Sequence, residues 1–118
     1  MTIHIMKLQP ESFEKIKEGT KTMEIRLFDE KRKAIAIGDT IEFQKQPEEL
    51  EVLRVRVSAL LRYESFSELL DDFPPGIFGG KDKESLLQGV RRFYSPEREK
   101  EYGVLGIKIE PIDYCQHH

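Results

Sequence analysis

The stretch Gly19-Thr20-Lys21-Thr22-Met23-Glu24-Ile25-Arg26 gathers two cations and a carboxylate into one short segment. In an extended chain alternate side chains share a face, so Glu24 and Arg26 stand about 7 Å apart on the same side. That spacing suits gripping one polar ligand from two points. Gly19 permits a tight turn ahead of the strand, and a local bulge would swing the Lys21 ammonium onto the same face. Lysine and arginine placed there can hold a phosphate or a developing oxyanion. The carboxylate can accept from an amino group or act as a base toward water. The plainer alternative is a solvated strand face whose charges pair with one another and bind nothing.

Other residues invite a chemical reading. Gly79-Gly80-Lys81 precedes a predicted helix, where backbone N–H groups and one cation would suit an anion bordering a cleft, although the spacing is not that of a Walker loop and a plain connector is the better reading. Tyr63, Phe66, Phe78 and Tyr94 are candidate stacking platforms for an unpaired base. Tyr63 ends a strand leading toward the Lys21 neighbourhood and is assigned to the site; the other three are expected in the core. Arg54, Arg56 and Arg62 share one strand face, which solubility alone accounts for. Lys31-Arg32-Lys33 follows Asp29-Glu30 and reads as a solvated loop. His4 stands alone on a first strand, His117 and His118 read as tail residues, and the single Cys115 makes neither a disulfide nor a cysteine-rich metal site. No metal site and no cofactor are assigned.

The elements that must position these residues follow from local pattern. Thr2 to Leu8 alternates as a strand, with Ile5 facing the core, and Pro10 to Glu18 has the marks of a helix. Those marks are proline in the first turn, Glu11 near the start, Lys15 and Lys17 near the end, Gly19 as left-handed cap, and Phe13 and Ile16 turned inward. Thr20 to Leu27 is the second strand and Thr40 to Lys45 the third, launched by Gly38-Asp39. Glu51 to Tyr63 places Leu53, Val55, Val57, Ala59, Leu61 and Tyr63 on one face. At that length it is expected to bend near Ser58-Ala59. Ser65 and Glu68 form a capping box for a short helix, Asp82 caps another reaching about Phe93, and Ser95-Pro96 opens a third. Val104 to Glu110 is the last strand, stopped by Pro111, with a short disordered tail from about residue 112. Met23, Ile25, Val55, Val57 and Ile107 join Ile5 in the predicted core.

This order has no regular alternation of strand and helix, which excludes a doubly wound parallel sheet. An α+β fold remains: a small mixed β-barrel of about five to six strands flanked by short helices. A length of 118 residues fits one domain spanning the whole chain. Apolar residues at 38% and charged residues at 35% mark a globular chain. No apolar run approaches the roughly 18 residues of a membrane span, and a secretory leader is not evident, so the expected place is the cytoplasm and no membrane partner is assigned. A net charge of −3 excludes a generic nucleic-acid coat, and any nucleic acid must meet a local basic patch.

The pattern Gly-x-Lys-x-x-Glu-x-Arg carried by Gly19, Lys21, Glu24 and Arg26 resembles the signature of the ASCH domain family, within the PUA-like superfamily. It crosses from the first helix into the second strand, as it does in that family. Gly38-Asp39, Tyr63-Glu64-Ser65-Phe66 and the run from Tyr94-Ser95 to Glu101-Tyr102-Gly103-Val104 extend the likeness over about residues 3 to 110. The resemblance implies a PUA-like barrel whose motif lines a cleft between barrel and helices, accepting RNA or a nucleotide-like ligand. Some family members are amidohydrolases acting on acetylated cytidine, in which a Thr nucleophile occupies the position of Glu24 and a further Glu lies downstream. Here the Thr is replaced and Gly79-Gly80 occupies the downstream region. Binding of RNA or a nucleotide is therefore the leading reading, with an amidohydrolase using Lys21 and Glu24 second and a protein-interaction module third. On the binding reading, Lys21→Ala or Arg26→Ala is expected to weaken the ligand while leaving the fold nearly unchanged.

Overall fold

A computed structural model describes the backbone of residues 2–116 and side chains through residue 112. Strands β1 (Ile3–Leu8), β2 (Met23–Leu27), β3 (Thr40–Lys45), β4 (Glu51–Tyr63) and β5 (Val104–Gln116) form one sheet in the order β1-β3-β4-β5-β2. Strand β1 runs parallel to β3, and every other pairing is antiparallel. The sheet curls into a half-barrel with β1 and β2 as its two edges, so the expected mixed barrel is present with five strands and an open seam. Helices α1 (Pro10–Glu18), α2 (Glu30–Lys33), α3 (Phe66–Asp71), α4 (Lys83–Arg91) and α5 (Pro96–Tyr102) and a 3-10 turn (Pro75–Phe78) flank it.

Two apolar clusters hold these layers together. Within the curl, Met6, Leu8, Ile41, Phe43, Leu53, Val55, Val57, Leu105, Ile107 and Ile109 pack against Phe13 and Ile16 of α1. On the other side, Met23, Leu27 and Val104 meet Phe66, Leu69, Leu70 and Phe78 from the helical segment. Full burial of such a side chain contributes about 1.5–3 kcal/mol, so the inward stripe of α1 fixes that helix on the barrel mouth. Its end is fixed as well: Gly19 adopts φ 86°, and the N–H groups of Thr20 and Lys21 return to the Lys15 carbonyl.

Three expectations need correction. Ile5 is 49% exposed whereas Met6 is 2% exposed, so β1 turns the opposite set of side chains inward. A core needs volume from one phase of the alternation only. In β1 both phases are apolar, and pairing with β3 decides between them. The bend in β4 is real, marked by a register shift between Val57 and Ala59, but it also changes which face follows. Leu60 continues the Val55-Val57 side, while Leu61 and Tyr63 join the helical cluster. Finally, β5 does not stop at Pro111: Pro111 lies opposite Val55 beside a register shift, and the pairing runs on to Gln116 opposite Glu51. The predicted tail is thus strand through Gln116, and His117 and His118 lie outside the described residues.

Candidate functional site

Strand β2 pairs on one side only, with β5. Glu24 lies opposite Ile107 and Arg26 opposite Leu105, so both side chains emerge on the curl side near the open seam. No bulge brings Lys21 to them. It sits in the turn between α1 and β2, where the Thr22 N–H donates to the Ile77 carbonyl and the aliphatic stem packs on Gly79. A Cβ on Gly79 would stand 3.2 Å from Cδ of both Lys15 and Lys21, and its φ of 82° is itself a glycine conformation.

The three charges converge. Lys21 Nζ lies 3.0 Å from Glu24 Oε1, and Arg26 Nη2 lies 3.0 Å from Glu24 Oε2. The Ile25 N–H donates to Oε1, and Ser12 Oγ on α1 is 3.5 Å from Lys21 Nζ. Lys21 and Glu24 are 7% and 4% exposed, which rules out the solvated-face arrangement. Burial alone would raise the Glu24 pKa and is the largest single influence. The Lys21 and Arg26 charges and the bonds from Lys21 and Ile25 together outweigh it and hold the carboxyl at about 2. Burial likewise works against the Arg26 charge, but Glu24 and the nearby Tyr94 oxygen raise its pKa above the ordinary value.

These groups form part of the wall of a cleft of about 810 Å³. The end of β1 and helix α1 make one side, β2 the floor, and the Phe78–Lys81 segment, α4 and residues 92–94 the other side. Lys21, Glu24, Arg26, Gly79, Gly80 and Lys81 all line it. Tyr63 does not: the β4 bulge directs it to the helical cluster, where its hydroxyl bonds Asp72 at 2.6 Å. Gly79 and Gly80 contribute no free amides, since their N–H groups donate to the Gly76 and Pro75 carbonyls. Their role is close packing and chain direction rather than an anion cradle.

Several lining residues carry no motif in the sequence. Ser12 and Lys15 lie on the α1 flank beside the buried Phe13 and Ile16, and Lys15 Nζ donates to the Gly79 carbonyl across the cleft wall. Their three-residue spacing on a capped helix was the available signal. Lys7, Arg92 and Phe93 also line the cleft; of the aromatics expected in the core, Phe66 is fully buried, whereas buried Phe78 and half-buried Tyr94 also border the cleft. Elsewhere, Arg54 and Arg56 pair with Glu42 and Glu110, Arg62 covers the Phe28 ring, and His4 bonds Asp39 at 2.8 Å, all remote from the cleft. Among the described residues no cluster of His, Cys, Asp and Glu suits a metal ion, and no helix is long and apolar enough to cross a membrane.

A curled five-stranded sheet whose helix-to-strand turn delivers lysine, glutamate and arginine to one cleft defines a class of domain. The ASCH domain family model matches residues 6–113, and the chain belongs to that family. Among solved structures, the hypothetical protein PH0355 is 41% identical, with a TM-score of 0.82 over 95% of this chain and 100% of that one. Protein PF0455 from Pyrococcus furiosus is 43% identical, with a TM-score of 0.76 over 96% and 100%. ASCH from Zymomonas mobilis, 15% identical with a TM-score of 0.60 over 98% and 73%, shares the fold. No curated protein sequence matches the chain.

Proposed function

We propose that the chain is a cytoplasmic binding domain whose cleft takes RNA or a nucleotide. The carrying observation is electrostatic. Six basic side chains (Lys7, Lys15, Lys21, Arg26, Lys81 and Arg92) and two acidic ones (Glu11 and Glu24) line the cleft, a local excess of four positive charges in a chain of net charge −3. Glu49 outside the cleft and Glu11 within it partly offset Lys7 and Lys15. Even so, the basic field is concentrated where low-dielectric walls focus it, which favours an anionic ligand. The volume suits a nucleotide-sized guest.

Within this reading Glu24 is a support. Both of its oxygens already accept bonds, and it aims Lys21 and Arg26 along the cleft wall, where their charges favour a phosphate or base oxygen. The same fact weighs against hydrolysis through Glu24. A carboxyl held at about 2 is a poor proton acceptor at neutral pH, where general bases work best with pKa values near 7.

The test is titration of RNA oligomers and cytidine derivatives into the wild type and Lys21→Ala, followed by anisotropy or calorimetry. Binding should weaken by about 1–3 kcal/mol in the variant. Absence of any binding to the wild type would sink the proposal. Deacetylation of acetylcytidine, abolished by Lys21→Ala, would replace it with the amidohydrolase reading.

A further inference from the structure

The helical wall of the cleft ends in an aromatic residue that the fold does not use. Phe93 is 59% exposed, whereas the neighbouring Tyr94 is half-buried against the helical cluster. Among the described residues, the other exposed large hydrophobics are Ile3, Ile5, Ile37, Leu50 and Ile112, so Phe93 is the one aromatic of the set. It is also the one that lines the cleft. Scattered exposed aliphatics need no explanation. A bare phenyl ring on the wall of a basic cleft is a different matter, because the ring face is the surface on which an unpaired base stacks.

The backbone that carries the ring is held in place. The Phe93 and Tyr94 N–H groups both return to the Val90 carbonyl, which fixes the turn leaving α4. Behind Phe93 the Tyr94 ring lies 6.5 Å away, and Tyr94 in turn stacks on buried Phe66 at 5.7 Å with 17° between planes. A chain of three rings therefore runs from the core to the cleft. A fixed backbone beneath the ring lowers the entropy lost when a ligand settles on it. Arg92, adjacent in sequence and lining the same cleft, supplies a cation next to the ring's end of α4, and Lys81 lines the cleft at the helix's other end.

We infer that Phe93 is the stacking platform for an unpaired nucleobase, with Arg92 meeting the phosphate beside it and Lys81, at the other end of α4, meeting a phosphate farther along a strand. The inference rests on the nucleotide-binding reading and narrows it. The ligand presents a base with its face free, as in a single-stranded RNA or a free nucleotide, and a continuous duplex is excluded because its bases are already stacked.

The chain contains no tryptophan, so Phe93→Trp creates a single fluorescent reporter at the platform. Short single-stranded RNA or a mononucleotide should quench it, and the tighter of the two identifies the ligand form. Duplex RNA and inorganic pyrophosphate should not. Phe93→Ala and Phe93→Leu should each bind single-stranded RNA on the order of tenfold more weakly, with unchanged thermal melting and unchanged pyrophosphate affinity. Retention of wild-type RNA affinity in both variants would overturn the platform while leaving the cleft reading intact, as would equal quenching by duplex. If the wild type binds neither RNA nor nucleotide, both readings fall together.

Discussion

Arg26 Nη2 on β2 donates to the main-chain carbonyl of Lys7 on β1 at 3.1 Å, and the same nitrogen bonds Glu24 at 3.0 Å. Strands β1 and β2 are the two edges of the curled sheet, so this side chain bridges the seam that strand pairing leaves open. Arg26 therefore serves the fold and the cleft at once, contrary to the expectation that its removal leaves the fold nearly unchanged.

Arg26→Ala strips a buried carboxylate of one of its two cations and a β1 carbonyl of its donor. A cost of about 3 kcal/mol is expected, read from urea midpoints at neutral pH. Arg26→Lys keeps the charge without the planar fork and should fall between the two. A midpoint equal to wild type in Arg26→Ala would show that the bridge contributes nothing to stability.

The depressed Glu24 pKa makes a second expectation, with its sign fixed by linkage. The folded value of about 2 lies below the ordinary value of 4.5, so the unfolded chain takes up the proton first. The resulting stability, about 3 kcal/mol, is fully present above about pH 4.5 and is lost as pH falls toward 2. Glu24→Gln should be less stable than wild type at pH 7. The difference should narrow on acidification, which urea melts at pH 7 and pH 3 would reveal. A gap of constant size at both pH values would contradict the ion-pair account.

How far the sequence could be read depended on whether each element's pattern had one solution. Helix α1 had a single apolar stripe, a proline start and a glycine stop, and it forms where those marks place it. Lys21, Glu24 and Arg26 could be grouped because a turn and a period of two control them locally. Phe93 could not, since its place on the cleft depends on how α4 packs across from α1. Tyr63 was misplaced by one bulge, which inverts every side chain beyond it.

Strand β1 gives the same lesson in measurable form, because Ile5 and Met6 are adjacent and only one is inside. Met6→Ala should cost about 2–5 kcal/mol by opening a cavity. Ile5→Ala should change stability by no more than about 1 kcal/mol, as a surface position does. Equal losses in chemical denaturation would mean that the register of β1 against β3 is not the one described.

Gly89 lies inside α4 on the cleft wall, and a Cβ built there meets nothing within 4 Å. Gly89→Ala should therefore raise stability by up to about 1 kcal/mol, the usual gain for an alanine in a helix interior. Gly89→Leu should also fold, while its side chain fills the space a ligand needs. A higher melting temperature together with weaker RNA binding is the expected pairing. Unchanged binding in Gly89→Leu would place the ligand away from α4.

The basic lining sets how binding responds to salt. Each phosphate neutralised by lysine or arginine releases condensed counterion, so the logarithm of affinity for a single strand should fall linearly with the logarithm of salt, by about 0.7 per phosphate met. Lys81 and Arg92 are exposed on the cleft wall and are not among the charges that Glu24 holds. Lys81→Ala and Arg92→Ala should each lower that slope by about 0.7 without shifting the urea midpoint. Lys21→Ala should instead change both affinity and stability, because it leaves Glu24 buried with one cation fewer. Affinities measured across a salt series for the three variants separate the two groups. If Lys81→Ala and Arg92→Ala keep the wild-type slope, the phosphates lie elsewhere on the surface and the charge excess of the cleft serves another anion.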